Sequence, residues 1–463
     1  MVEIGPKPIS SAELEARAHA FEDERKLEEA RDAFDAALRL NPSSQSCAEG
    51  RARVALQLRE DSAVEHCSRA LAFHDTNPDR QLRMIETAAV ELGSAAIPLL
   101  EGYIRRNPQK DVAYERLAEL RAEAGAGEQF IDDYLSALRS YPDSKPLLMS
   151  YWNILSRSGR LVEALDSMES RRSLFEGDRD FMLLEVNIAN HAGITDRAGR
   201  LLELLDNRPD ANLARGQHCL QTGRPDEAAK LLATVAVAQP DNQSAWALLE
   251  LAWRLTGDDR HEWLTGQLGL CGASELDLSS SQLADIAATL RTLHRASSQP
   301  VGQSVRGGTQ TSGQLFMRNE PEILLLVEAL AVAIRQFVNA LPAADARHPL
   351  LKHRNQGMAF GPSWSVRLSQ GGYHAAHFHP NGIISSACYI SLPADLANDR
   401  EQSGWLELGR PPAELGIDLP PLATFEPKPG RLVLFPSFLF HGTRPFTGGE
   451  RLTVAFDLIA TAV

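Results

Sequence analysis

Cysteine is scarce in this chain of 463 residues. The five thiols, Cys47, Cys67, Cys219, Cys271 and Cys388, are scattered without C-x-x-C spacing. That spread argues against a disulfide framework and leaves buried, reduced thiols as the expectation. Positive charge is also in deficit. Lys and Arg number 47 against 61 Asp and Glu, a formal net charge of −14. Nucleic-acid binding is driven by clustered Lys and Arg, so no nucleic-acid partner is expected. The N-terminal stretch lacks a basic region followed by an apolar run, so no secretory leader is expected. No stretch of about 20 apolar residues is free of charge, so no membrane span is expected, and a cytoplasmic location follows by default. Gly307-Gly308 has no strand–helix context for a phosphate loop. No Ser-His-Asp set or pair of catalytic carboxylates stands out.

What is present is ordinary in bulk and specific in pattern. Hydrophobic residues are 43% and charged residues 23%, as in globular proteins, and the length favours two or more domains. In the N-terminal half, prolines recur at 42, 78, 108, 142, 209 and 240, mostly about 34 residues apart. An out-of-phase glycine series, 93, 125, 159, 193, 223 and 257, keeps the same period. This is the pattern of paired helices, with Gly ending the first helix in a left-handed conformation and Pro stopping the second. Small residues share offsets: Ala18, Ala30 and Ala37 in one unit, Gly216, Ala228 and Val235 in another. They let two helices approach closely.

These positions resemble the tetratricopeptide repeat, over about residues 11–262 in seven or eight degenerate units. The resemblance implies an all-α solenoid whose units stack on one another and present a surface for a peptide or protein. A rigid spacer or a homo-oligomer contact is the competing use. His66, His191 and His218 have no ligand spacing and read as packing or surface residues.

The repeat pattern stops near 262. Residues 271–294 read as a linking helix, 299–316 as a Gly/Gln/Thr-rich loop, and 320–341 as a long packed helix. Short β-prone runs follow at 363–368, 383–392, 404–408, 431–435 and 452–459, separated by Gly, Pro and Asn. They suggest a sandwich or barrel with a helix outside.

The histidines flank these runs. His377 and His379 stand in "GGYHAAHFHPNG", and His441 in "FPSFLFHGTRPF". Residues i and i+2 of an extended chain face the same way, so H-x-H can present two imidazoles together. His441, 64 residues beyond His377, can bring a third from another strand. Three protein ligands on one side of an ion leave positions for a co-substrate and dioxygen, as in non-haem iron oxygenases. His374 is the runner-up ligand. Arg306 and Arg367 could reach the barrel mouth or form structural ion pairs. Asn381-Gly382 reads as a turn after Pro380, and Trp364 and Trp405 as core or rim aromatics.

These segments, with Arg451-x-Thr453 ten residues after His441, resemble the Fe(II)/2-oxoglutarate-dependent dioxygenases, in the bacterial and phage hydroxylase branch related to prolyl hydroxylases. The resemblance covers about residues 299–463 and implies a double-stranded β-helix (jelly-roll) core. It implies His377, His379 and His441 as the iron ligands and Arg451 as partner of the far carboxylate of 2-oxoglutarate. Thr453 matches the hydroxyl residue of the family's R-x-S/T element, and Tyr389 a phenol that bonds the co-substrate tail. His379 departs from the superfamily, which mostly has Asp there.

The resulting expectation is an α+β multidomain chain: an N-terminal tetratricopeptide-like solenoid (1–262), a linking helical segment (263–298), and a C-terminal jelly-roll oxygenase with flanking helices (299–463). Its expected function is hydroxylation of a peptide or protein side chain recruited by the repeats. A small-molecule hydroxylase, with the repeats used for assembly, is one alternative. A non-catalytic metal-binding jelly roll is the other, and Arg451 and Tyr389 argue against it.

Overall fold

The computed structural model describes residues 9–73, 77–393, 396 and 402–461. The first eight residues, part of the stretch read above for a leader, lie outside the described residues. The chain divides into two compact units, Met1–Ser150 and Tyr151–Val463. The 262 boundary suggested by the repeat pattern falls within the second.

The first unit is built from helix pairs: α1 (Ser11–Asp23) with α2 (Leu27–Leu40), α3 (Gln45–Leu58) with α4 (Ala63–Ala72), α5 (Pro78–Leu92) with α6 (Ile97–Arg106), and α7 (Asp111–Glu123) with α8 (Asp132–Ser140). Ala18, Ala30, Phe34 and Ala37 are fully buried at their predicted offsets. Gly50 of α3 lies directly over Phe34; a Cβ there would stand 2.3 Å from the ring.

The pairing continues with α9 (Lys145–Arg157), α10 (Leu161–Ser170), α11 (Arg179–His191), α12 (Thr195–Leu202), α13 (Pro209–Gln221), α14 (Pro225–Ala238) and α15 (Gln243–Thr256). The glycine prediction holds at five of its six positions: Gly125, Gly159, Gly193, Gly223 and Gly257 all have φ between 68° and 85° at the ends of α7, α9, α11, α13 and α15, whereas Gly93 ends α5 with φ 59° and ψ −133°, outside the left-handed helical region. The proline prediction holds in part. Pro42, Pro108, Pro142 and Pro240 follow α2, α6, α8 and α14, but Pro78 and Pro209 open α5 and α13. The first helical position tolerates proline because its N–H would have no partner within the helix.

Beyond the repeats, two antiparallel sheets face each other. The larger runs in the order β1 (Gly272–Glu275), β7 (Arg431–Pro436), β4 (Ile384–Ser391), β9 (Arg451–Ala460), β3 (Met358–His374), β2 (Val305–Gln310). The smaller is β6 (Ala423–Phe425), β5 (Leu406–Leu408), β8 (His441–Thr443). All five β-prone runs are strands, and the two sheets form the expected jelly roll. Four strands were not foreseen, among them β6 and β8 of the smaller sheet, each only three residues long. β2 lies in the segment read as a loop, where Gly307 and Gly308 mask a strand that bulges between Arg306 and Gly308. β1 lies in the linking segment and pairs with β7 at the sheet edge.

Alternation along β9 separates structure from site. Leu452, Val454, Phe456 and Leu458 face outward and pack with Ile286 and Leu290 of α16 (Ser280–Leu293) and Leu326 and Leu330 of α17 (Pro321–Ala340). Among the described residues, α17 alone is long and apolar enough to cross a membrane; it buries one face through Ile323, Leu326, Leu330, Ala333 and Ile334. The other face of β9 carries Arg451, Thr453, Ala455 and Asp457 toward the space between the sheets. There Tyr389, Val433 and Phe435 meet Leu406 and Leu408 of the smaller sheet.

Repeat helices and jelly roll share a core within the second unit. Leu220, Leu249 and Trp253 cluster with Leu415, Phe438, Leu439 and Phe440. Arg254 of α15 donates to the carbonyls of Gly409 (2.8 Å) and Pro420, and Gln221 of α13 donates to that of Glu414 (2.9 Å). The thiols are all free, four of them buried, as expected from their spacing.

Candidate metal and co-substrate site

Past β3 the chain stays extended and runs beside residues 437–441. The His377 N–H donates to the His441 carbonyl (3.0 Å), the His441 N–H returns to the His377 carbonyl (2.7 Å), and the His379 N–H donates to the Ser437 carbonyl (3.0 Å). This pairing meets the condition set by the H-x-H reading. His377 and His379 face inward, and the intervening Phe378 packs against the cluster shared with the repeat helices. The ring centroids of His377, His379 and His441 are 4.2–5.1 Å apart, and one nitrogen from each lies within 4.8 Å of the others.

Hydrogen bonds set which nitrogens converge. His377 Nδ1 lies 2.9 Å from the Ala375 carbonyl, and His441 Nδ1 3.0 Å from the Leu439 carbonyl. A carbonyl only accepts, so both Nδ1 atoms carry the proton. His379 Nδ1 lies 2.5 Å from Asp457 Oδ1 and donates likewise. All three Nε2 atoms therefore present lone pairs, and those of His377 and His379 face each other at 3.2 Å. Two unprotonated nitrogens so close call for a cation between them. Burial, with His379 beside it, lowers the His377 pKa to about 3. Burial and the neighbouring rings hold His441 well below the usual range. Neutral imidazoles are the form that binds metal, so this donor set fits Fe(II).

The same face holds a fit for a carboxylate-bearing co-substrate. Arg451 is 1% exposed and, among the described residues, pairs with no acidic side chain. One guanidinium nitrogen donates to the Gly404 carbonyl (2.9 Å), while Nε has no partner. The guanidinium stands 5.0 Å from the centre of the Tyr389 ring. The Tyr389 hydroxyl is also buried without a partner. Burial lowers the Arg451 pKa and raises that of Tyr389. A buried cation and a buried phenol, each with an unmet hydrogen bond, suit an anion that accepts from both. Thr453, paired with Tyr389 across the strands, is buried on this face.

Other candidates fall outside the cluster. His374, the runner-up ligand, bonds Ser304 Oγ through Nδ1 (3.1 Å), with its ring 6.2 Å from that of His377. Arg306 bonds the carbonyls of Gln303 and Val305, and Arg367 pairs with Glu450. Trp364 does reach the site, its ring 5.6 Å from that of His379.

Asp457 was missed. Its signal was present: Arg451, Thr453 and Asp457 are spaced by even numbers on one strand, so they share a face. Behind the triad, Ser385 Oγ donates to Asp457 Oδ1 (2.7 Å) and contacts Ser437 Oγ (2.9 Å). Gly382, read as a turn residue, makes room for this group: a Cβ there would lie 2.5 Å from Ser437 Oγ and 3.0 Å from Asp457 Cγ.

A family described as "Putative 2OG-Fe(II) oxygenase" matches residues 362–457, and the tetratricopeptide repeat matches residues 15–78 and 177–249. Among solved structures, the collagen prolyl hydroxylase of Paramecium Bursaria Chlorella virus-1, in complex with 2-oxoglutarate, is 16% identical. It covers 42% of this chain and 97% of its own, with TM-score 0.29. A Pseudomonas putida prolyl-4-hydroxylase is 16% identical over 42% of this chain and 94% of its own, with TM-score 0.30. A tetratricopeptide repeat protein from Parabacteroides merdae is 17% identical over 52% of this chain and 98% of its own, with TM-score 0.32. No curated protein matches the chain.

Proposed function

We propose that this chain, a tetratricopeptide-repeat array joined to a 2OG-Fe(II) oxygenase domain and so a 2-oxoglutarate-dependent dioxygenase, hydroxylates a peptide or protein side chain recruited by its repeats. Its cofactor is Fe(II) and its co-substrate 2-oxoglutarate. The balanced reaction turns a substrate C–H, dioxygen and 2-oxoglutarate into C–OH, succinate and carbon dioxide. Bound Fe(II) supplies dioxygen activation coupled to 2-oxoglutarate decarboxylation. The rest is positioning by the protein. His377, His379 and His441 hold the metal through Nε2. Arg451 takes the far carboxylate of 2-oxoglutarate in a charge-assisted contact, and the Tyr389 hydroxyl donates to it. Thr453 adds a hydroxyl beside them, and Trp364 walls the approach next to His379.

The observation that carries this reading is the conjunction of three converging Nε2 lone pairs with a buried, acid-free Arg451. We keep residues 1–262 as the repeat domain, 263–298 as the joining segment and 299–463 as the oxygenase domain. In the second unit, α13 and α15 are committed to residues 409–420 of the oxygenase. We therefore assign recruitment to the repeats of the first unit. Proline and asparagine or aspartate side chains are the leading acceptors.

The test is anaerobic titration of Fe(II) and 2-oxoglutarate into the full chain. A visible charge-transfer band is expected, and both His377→Ala and Arg451→Ala should lose it. Retention of the band in both variants would refute the site. Succinate release stimulated by peptides that gain one oxygen then identifies the acceptor.

A further inference from the structure

Three histidines can coordinate a metal, but they bring no negative charge to it. In the superfamily this chain resembles, the position of His379 is mostly an aspartate. The structure holds a carboxylate one ring further back. His377 and His441 orient themselves through carbonyls two residues earlier in the chain, Ala375 and Leu439. His379 alone uses a carboxylate, Asp457, at 2.5 Å. Asp457 is 5% exposed and comes from a different strand, 78 residues away. The pairing is deliberate in the packing. Ser385 donates to the same carboxylate oxygen, Ser437 contacts Ser385, and the missing side chain at Gly382 opens the space.

A buried carboxylate is costly unless it is paired and hydrogen-bonded. Among the described residues no Arg or Lys pairs with Asp457; it is held by hydrogen bonds from His379 and Ser385. A carboxylate accepting from Nδ1–H draws that proton toward itself and pushes electron density to Nε2, raising the ring's basicity as a ligand.

We propose that Asp457 is a positioning residue that delivers, through the His379 ring, the negative charge that a carboxylate ligand would otherwise supply. The proposal rests on the reading of His377, His379 and His441 as metal ligands. His379 and Asp457 act as one anionic unit: the ring reaches the metal, and the charge sits behind it, held by Ser385. A corollary is that positions 379 and 457 can carry only one carboxylate between them. An aspartate at 379 would place an oxygen near the present Nδ1, against Asp457 Oδ1.

The test uses the full chain and metal binding, independent of turnover. Anaerobic Fe(II), and separately Co(II), is titrated into wild type, Asp457→Asn, His379→Asp and the double variant His379→Asp/Asp457→Asn. Asp457→Asn should weaken metal affinity about 10–100-fold. It should also move the Fe(II)–2-oxoglutarate charge-transfer band to shorter wavelength, because a less electron-rich metal gives up charge less readily. His379→Asp alone should bind poorly, and the double variant should recover at least tenfold of that loss. Wild-type affinity and band position in a folded Asp457→Asn would overturn the proposal. If that variant fails to fold, the 379 pair decides: a double variant binding no better than His379→Asp also overturns it. His377→Ala separates the two readings. If it binds metal like wild type, the ligand assignment itself is wrong; if it loses metal while Asp457→Asn does not, only the role of Asp457 falls.

Discussion

Single side chains in this protein are most informative where their hydrogen bonding is incomplete. The Tyr389 hydroxyl is buried and unpartnered in the ligand-free fold. Removing it costs that fold no hydrogen bond and relieves a desolvation penalty. Tyr389→Phe should therefore leave thermal stability unchanged or slightly raised. The same variant should weaken 2-oxoglutarate binding by about 1.5–3 kcal/mol, the worth of a hydrogen bond to a charged group. Calorimetric titration beside a thermal melt would reveal that divergence. His294 is informative for pH. Its ring sits between Thr309 Oγ1 (2.9 Å) and Ser365 Oγ (3.1 Å), and burial, with Arg367 nearby, lowers its pKa to about 4. The folded state thus resists a proton that the unfolded chain accepts near pH 6.5. Its stabilising contribution is complete above that pH and is lost as pH falls toward 4. His294→Gln should flatten this part of the profile, a difference of at most about 3 kcal/mol and less for the solvent the ring still meets. Urea midpoints of both proteins at neutral and acidic pH measure it. The clustering of the three imidazoles was readable from the H-x-H spacing, whereas Arg451 was singled out by the resemblance and not by spacing. Asp457 was not singled out: its even spacing puts it on the face of Arg451 and Thr453, but nothing in the sequence links it to His379, 78 residues away.

Among secondary-structure elements, the repeat helices depend on small residues where they pack closely. Gly50 in α3 carries the ordinary propensity penalty of about 1 kcal/mol relative to Ala. Its replacement by Ala would gain that, but the new Cβ would meet the Phe34 ring at 2.3 Å. An aromatic ring in a filled core cannot yield as a chain end can. Overpacking costs of about 1–3 kcal/mol should win, so Gly50→Ala is expected to lower the melting temperature. A rise would show that α2 and α3 can separate cheaply. The periodic glycines and prolines made the helix pairs legible, because each marks a helix end by a backbone constraint. Pro78 and Pro209 were misplaced because a proline that ends one helix and a proline that starts the next obey the same constraint from opposite sides. The strand β2 escaped because its glycines suit both a loop and a bulged edge strand. The strand β1, "GASE", is four residues long and takes its conformation from pairing with β7 rather than from propensity.

At the scale of the whole molecule, the compact units and the repeat pattern have different bounds. The repeat signature runs to 262, yet the second compact unit begins at Tyr151. The last repeats share a hydrophobic cluster with the loop that leads to His441, and β1 and α16, upstream of 299, complete the jelly roll. A fragment comprising 299–463 is therefore expected to aggregate and to give no Fe(II)–2-oxoglutarate band. A fragment comprising 145–463, which keeps α9 intact, should melt cooperatively and give the band. Calorimetry and absorption spectra of the two fragments decide this; a folded, metal-competent 299–463 would contradict the shared core. The sequence could not display this union. Phe438, Leu439 and Phe440 look like ordinary strand-flanking apolar residues, and nothing local names helix α15 as what they touch.

Phe378 and Phe440, each one residue from an imidazole of the cluster, pack against each other and against the last repeat helices. The oxygenase therefore cannot be moved between scaffolds as a self-contained cassette. A chimera that substituted a foreign repeat array would have to rebuild the socket for these two phenylalanines, or the catalytic floor would sag where its histidines stand.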